Sequence, residues 1–387
     1  MSKLLQFIKE HKNWDELLKA PPYSLFVKPK DKYVLFMYNV YTSDFTNPIV
    51  QEARGIIINL TDMKVVCRAF DKFFNYGEPN AHEIDWASAE VQEKVDGSIM
   101  KVWWDKKWHV SSQSTVDARD AIFSDGEYDS FYYLFIQAFQ SLTSSDKIED
   151  IEAKMYNLFD STLSKTHTHI FELTSPRTTV VIKYPETAVY YIGCRETETG
   201  KEISSPRLSE SFPCKYPRKY PLRTVEQCIE AASYMNNVGD VTEEGFVVVD
   251  KYFHRVKIKS PKYLEMHHMV TTNPSDYRIL MMILAGEMEE TLAYFPHLKE
   301  KFQTISHKIS RLMLDLTIIS MKIKAREFPS RKELVAYLQE KYEKRFFEPL
   351  LKMVIYDSDP MQWLQQLSRD KKKEYFINDY RRPDYVD

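Results

Sequence analysis

The feature that most constrains this chain is a change of pattern near Ser275. Up to about residue 263 the sequence is punctuated by short runs rich in Val, Ile, Tyr and Phe, many alternating with period two. They are Tyr33 to Tyr38, Gly55 to Ile58, Val65 to Phe70, His169 to Leu173, Thr179 to Tyr184, Ala188 to Ile192 and Phe246 to Val249, and each reads as a strand. Helical stretches, Ser2 to Leu18 and Thr224 to Met235, interrupt them. Beyond Ser275, Phe302, Ile305, Ile309, Leu312, Leu316, Ile319 and Ile323 repeat at intervals of three and four, which lays one apolar stripe along a long helix. Pro329 ends that pattern, Ser330 with Glu333 makes a capping box, and Asp359-Pro360 starts a further helix. The expectation is an α+β fold on antiparallel sheets over residues 1–265, followed by an all-α domain over 266–387.

Composition removes several classes of protein. The 387 residues carry 53 Lys and Arg against 56 Asp and Glu, so neither a general basic coat nor a disordered acidic tail is indicated. The chain has only 9 Gly, none in a Gly-x-Gly pair. That excludes a dinucleotide-binding G-x-G-x-x-G turn and a phosphate-cradling G-x-x-x-x-G-K-[ST] loop. Cys67, Cys194, Cys214 and Cys228 lack C-x-x-C spacing, and the pairs His167/His169 and His267/His268 lack a further ligand at zinc spacing. Neither a disulfide framework nor a structural zinc is expected. With no apolar run of bilayer length and no signal-peptide pattern, the reading is a cytoplasmic protein without a membrane partner.

The chemistry concentrates in a few short segments. Glu93-Lys94-Val95-Asp96-Gly97-Ser98 places a lysine beside a bare glycine backbone. It can be read as a hairpin turn with a solvated lysine, or as an amine nucleophile where a nucleotide sugar approaches closely. Phe171-Glu172-Leu173 and Glu244-Gly245-Phe246 each put a carboxylate in or beside an apolar strand. Val256-Lys257-Ile258-Lys259 sets two lysines on one strand face. Taken singly, each has an ordinary structural explanation.

Taken in order, Lys94-x-Asp96-Gly97, Phe171-Glu172, Glu244-Gly245-Phe246 and Lys257-x-Lys259 resemble the motif set of the covalent nucleotidyltransferases, the polynucleotide ligases and mRNA-capping enzymes. The stretches 44–56 (with Arg54), Lys72 to Glu78 and Glu172 to Val181 narrow the resemblance to the RNA-ligase-1 family of bacteriophage tRNA-repair enzymes. The resemblance covers roughly residues 33 to 265. It implies an adenylyltransferase (ATP-grasp-like ligase) domain that uses ATP and Mg2+ (or Mn2+). Lys94 would carry AMP as a phosphoramidate, its pKa lowered by neighbouring cations. Lys257 and Lys259 would act on the α-phosphate. Arg54, Lys72, Glu93, Asp96, Gly97, Glu172, Glu244 and Tyr263 would surround the nucleotide, with Glu172 and Glu244 placing the metal. The implied partner is RNA with 5′-phosphate and 3′-hydroxyl ends, a nicked tRNA included, with no obligate protein partner and, for a viral enzyme, the host cytoplasm as location.

One departure stands out: Gln113, in Ser112-Gln113-Ser114-Thr115, occupies a position where the family tends to carry a cation. For RNA, Lys215, Arg218 and Lys219 interleave with aromatics in a Pro-rich stretch that reads equally as a solvated loop. Lys322, Lys324, Arg326, Arg331, Lys332 and Lys371 to Lys373 offer local positive charge in the helical region. The rival readings are a DNA ligase, a capping enzyme or a catalytically dead RNA-binding relative. Ligases and capping enzymes of the first two kinds continue from the Lys-x-Lys strand into a small β-barrel, whereas here the pattern turns helical.

Overall fold

The structure is a computed structural model that describes residues 2–40, 42–124, 126, 128–203, 208–235, 242–268, 274–284, 286, 288–294, 296–326, 328–367 and 369–378. The chain divides into two compact units, Met1–His267 and His268–Asp387.

In the first unit, β1 (Phe26–Lys30), β2 (Tyr33–Met37), β3 (Arg54–Asn59) and β4 (Lys64–Cys67) form an antiparallel meander. Helices α1 (Lys3–Glu10) and α2 (Trp14–Lys19) cover it, Leu4, Leu5, Ile8 and Leu18 packing on Val34, Phe36, Ile56 and Ile58. The helical stretch expected from Ser2 to Leu18 is thus two helices. A short helix, α3 (Pro48–Glu52), leads into β3.

The next strands, β5 (Phe74–Asn75) and β6 (Glu90–Glu93), begin a second sheet. The chain then crosses to a third, made of β7 (Ser98–Asp105), β8 (Lys107–Ser112), β9 (His167–Thr174), β10 (Ala188–Glu196) and β11 (Glu202–Ile203), in the order β11-β10-β9-β7-β8. It returns with β12 (Lys219–Tyr220), β13 (Gly245–Val249) and β14 (Arg255–Lys259), so the second sheet runs β12-β6-β13-β14-β5. Only β14 and β5 pair in parallel among the described ladders.

Alternation gives each of these two sheets one apolar and one functional face. In the third sheet Val102, Phe171 and Leu173 pack with Phe135 of α4 (Phe131–Gln137) and Phe159 of α5 (Ile148–Thr162). In the second, Phe246, Val248, Val256 and Ile258 pack with Cys228 and Ala232 of α6 (Val225–Tyr234), whose N-cap Thr224 accepts from the Gln227 amide. Burying each large apolar side chain contributes about 1.5–3 kcal/mol. The opposite faces carry Glu172, Val247, Arg255 and Lys257.

The expected strand over Thr179 to Tyr184 is a loop. The amides of Val181 and Ile182 both donate to Asp96 Oδ2, at 3.0 and 2.9 Å, so a carboxylate rather than a neighbouring strand takes its backbone donors.

A helix α7 (Pro261–His268) follows β14. The second unit contains α8 (Asp276–Leu284), α9 (Met288–Tyr294), α10 (Lys299–Lys324), α11 (Arg331–Lys341), α12 (Lys344–Tyr356), α13 (Pro360–Gln366) and α14 (Arg369–Lys373). All seven stripe residues of α10 are buried, and this helix packs on α8, α12 and α13. Ser330 Oγ caps α11 by accepting from the Glu333 amide. Among the described residues no helix is long and apolar enough to cross a membrane.

Candidate active site

Segment 94–97 is the crossover between the second and third sheets. It is not a hairpin, because β6 pairs with β12 and β13 while β7 pairs with β8 and β9. Lys94 leaves β6 with its amide donating to Gly245 O at 2.9 Å, which fixes it beside the start of β13. There the buried carboxylate of Glu244 is shared by two lysines, Lys94 Nζ at 2.7 Å and Lys259 Nζ at 3.6 Å. A buried carboxylate held by two cations is strongly position-determining, since removing either partner leaves charge uncompensated.

Gly97 is glycine because of packing. A Cβ there would lie 2.4 Å from Leu173 O and 3.1 Å from Glu172 Cγ, so the close passage against β9 by itself requires glycine. Gly55 has a left-handed φ of +79°, and its Cβ would meet Gln113 O at 2.3 Å and Lys101 Nζ at 2.9 Å. Lys101 is wholly buried, donates to Gly55 O, and has its pKa pushed down by burial and by Arg54. Together with Lys28, which donates to Ser114 O at 3.1 Å, it brings positive charge against the ribbon where Gln113 stands.

These elements enclose a cavity of about 360 Å³ between the functional faces of the two sheets. Of the residues singled out in the sequence, Arg54, Glu93, Lys94, Gly97, Gln113, Glu172 and Lys257 line it. Lys257 and Arg54 both lie over the Phe73 ring, at 4.9 and 5.1 Å, and Arg54 Nη1 is buried without a hydrogen-bond partner among the described residues. An orphaned guanidinium donor in a cavity wall is what an anionic ligand would satisfy. Burial, with Lys72, Arg54, Lys259 and Lys94 close by, pushes the Lys257 pKa well down. Lys94 Nζ, for its part, is held by Glu244 Oε2. Burial beside Glu244 pushes Glu172 up to about 8, despite the opposing pull of Lys94 and Arg54.

Four singled-out residues stand behind the wall. Glu244 and Lys259 back Lys94. Asp96 accepts at Oδ1 from Tyr263 Oη at 2.9 Å and at Oδ2 from two amides, so it fastens the crossover to α7 and the 179–184 loop. Tyr263 is buried, with Lys259 5.6 Å above its ring. Lys72 lies over the rings of Tyr38, Phe45 and Phe74, outside the cavity. Glu93 also anchors the 217–220 segment through Arg218 Nε at 3.2 Å. Lys215, Arg218 and Lys219 are each ion-paired, to Glu186, to Glu93 and Glu243, and to Glu90.

Sequence reasoning missed Arg255, which lines the cavity on the same strand face as Lys257 and Lys259, and the apolar wall of Phe70, Ile99 and Ile192. Extending the alternation of β14 back by two residues would have found Arg255.

Glu172 and Glu244 supply hard oxygen donors, and no cluster of three His, Cys, Asp or Glu occurs among the described residues. Glu172, which lines the cavity, fits Mg2+, commonly held by one or two carboxylates together with substrate phosphates and water, whereas Glu244 would join it only by releasing a lysine.

A sequence family described as RNA ligase, of the T4 RNA ligase 1 type, matches residues 52–263. The chain belongs to the T4 RNA ligase 1 family. Every residue that the motif order singled out between Arg54 and Tyr263 falls inside the part matched to that family. Among relatives, a protein named as a bifunctional polynucleotide kinase/RNA ligase of Autographa californica nuclear polyhedrosis virus is 34% identical over 275 residues. The match takes in 68% of this chain and 37% of that protein's length. An RNA ligase of Rhodothermus phage RM378 is 26% identical over 329 residues, 69% of this chain and 72% of that one. Among solved structures, an archaeal ATP-dependent RNA ligase aligns with a TM-score of 0.44 at 13% identity, over 88% of this chain and 91% of that one.

Proposed function

We propose that this member of the RNA ligase family is an ATP-dependent enzyme that joins an RNA 5′-phosphate to a 3′-hydroxyl. The observation that carries the reading is Lys94, fixed by Glu244 at the wall of a cavity whose other walls bring Arg54 and Lys257 to one ligand. In the first step Lys94 Nζ bonds to the α-phosphorus of ATP and the bond to pyrophosphate breaks. Glu244 Oε2 is the nearest acceptor for the proton that the ammonium must release. Arg54 and Lys257 hold the phosphate oxygens as charge builds on them. The α-phosphorus then passes to the RNA 5′-phosphate, and attack by the 3′-hydroxyl releases AMP. Glu172 and Glu244 would hold Mg2+, which supplies neutralisation of phosphate charge.

The same reading makes residues 1–265 the adenylyltransferase part and residues 266–387 a module that helps to choose the RNA, a nicked tRNA being one fitting substrate, in the cytoplasm. Exposed ion pairs contribute little, about 0–1 kcal/mol, so Lys215, Arg218 and Lys219 remain available to exchange their carboxylates for RNA phosphates. The test offers 5′-phosphorylated single-stranded RNA and nicked duplex DNA in parallel with ATP and Mg2+. Joining of the RNA is expected. Preferential sealing of the DNA nick would overturn the substrate assignment.

A further inference from the structure

A second chamber opens beside the cavity. It has a volume of about 430 Å³ and shares Phe70, Phe73 and Arg255 with the cavity, so the two are neighbours across those three side chains. Four separate segments build it: the 70–73 loop, His82, the end of β10 with the turn into β11, and the β13–β14 hairpin. Its two acids are already committed, Asp71 to Arg195 at 2.8 Å and Glu202 to Arg255 through two hydrogen bonds. Lys72 and Lys201 also line it, and neither ammonium has an ion-pair partner among the described residues. The rings of His82 and His254 stack at 4.8 Å with an 18° tilt, and His254 Nδ1 lies 3.2 Å from Asp250 Oδ2, which leaves Nε2 for another contact. Phe253, at the hairpin tip, has a φ of +64°, an unusual conformation for an aromatic residue.

The position of the chamber relative to Lys94 matters. Lys94 is tied to Gly245, which pairs with Lys259, whereas Arg255 pairs with Val249 at the far end of the same two strands. Lys259, Lys257 and Arg255 therefore form a line of cations along one face of β14, about 7 Å apart, leading from the nucleophile to the chamber. When a bond to Lys94 Nζ breaks in line, the incoming oxygen must arrive from the side away from that nitrogen.

We propose that this chamber holds the 5′-phosphorylated RNA strand, its terminal phosphate directed along β14 and a nucleotide lodged against the stacked imidazoles. This rests on the ligase reading above. In the step it serves, an oxygen of the RNA 5′-phosphate bonds to the α-phosphorus of lysyl-AMP, the Nζ–P bond breaks, and Lys94 leaves as an amine that takes up a proton. Two ammonium groups without a paired carboxylate among the described residues, Lys201 and the ring-stacked Lys72, suit a phosphodiester backbone, and flat aromatic faces suit an unstacked base.

The test uses the full chain with Lys201→Ala and His82→Ala, singly and together, since neither residue belongs to the nucleotide cavity. Lysyl-AMP formation from ATP is measured alongside transfer to 5′-phosphorylated RNA. Binding of 5′-phosphorylated and 5′-hydroxyl RNA is titrated against salt without ATP. Lysyl-AMP yield should stay within about twofold while the double variant loses roughly tenfold in RNA affinity, and Lys201→Ala should lower the salt slope by about 0.7, the value of one phosphate contact on a single strand. Unchanged RNA binding would overturn the proposal. So would equal losses in lysyl-AMP formation and RNA transfer, which would assign the chamber to pyrophosphate. If RNA binding falls as expected but no variant, nor the parent chain, forms lysyl-AMP, the chamber stands and the ligase reading falls.

Discussion

At the scale of single residues, the site works by setting like charges against each other and binding them through Glu244. Lys94 and Lys259 converge on one carboxylate, Lys257 is pushed down by its neighbours, and Glu172 is pushed up to about 8 from an ordinary value of 4.5. Such opposed perturbations mark sites of function more than of stability. Because folding raises the Glu172 pKa, the folded state keeps a proton that the unfolded chain has released between about pH 4.5 and 8, and stability falls as pH rises through that window. Glu172→Gln removes this cost. Thermal unfolding should show little change at pH 4 and a higher Tm for the variant at pH 9, by about 2–4 °C for each kcal/mol relieved, with loss of joining activity. Equal Tm values at both pH values would show that Glu172 is not held in its protonated form.

At the scale of elements, the crossover between β6 and β7 is the critical piece. It carries Lys94 out of one sheet and is fastened by Asp96 to a loop and to Tyr263. Its passage close to β9 requires glycine at position 97. Gly97→Ala should destabilise the first unit by about 1–3 kcal/mol, read as a lower denaturant midpoint at constant m-value. An unchanged midpoint would mean that β9 yields easily. Much of this was legible beforehand: the motif order marked Lys94, Glu172, Glu244, Lys257 and Lys259, and alternation placed the two lysines on one face. The contacts of Asp96 within the chain were not, because a carboxylate two residues after a lysine looks the same whether it faces a ligand or accepts from its own chain. The 179–184 loop misled for a related reason, since Thr-Thr-Val-Val-Ile has strand composition while a distant side chain takes its amides.

At the scale of the whole molecule, the sequence pattern separated two kinds of architecture, and the structure divides into units at His267/His268. The stripe on α10 was readable because helical periodicity is local. The cavity and its neighbouring chamber were not, because they join segments as distant in sequence as Arg54 and Lys257, and nothing in the sequence marks which exposed Lys or His will meet. Membership of the RNA ligase family and the position of Lys94 make one claim central: this lysine takes AMP from ATP. The direct measurement is incubation with α-labelled ATP and Mg2+, followed by acid treatment of the labelled protein, on the full chain, on residues 1–267 alone and on Lys94→Ala. The account predicts an acid-labile adduct on the first two and none on the variant; label retained in Lys94→Ala, or absent from the intact chain, would contradict it.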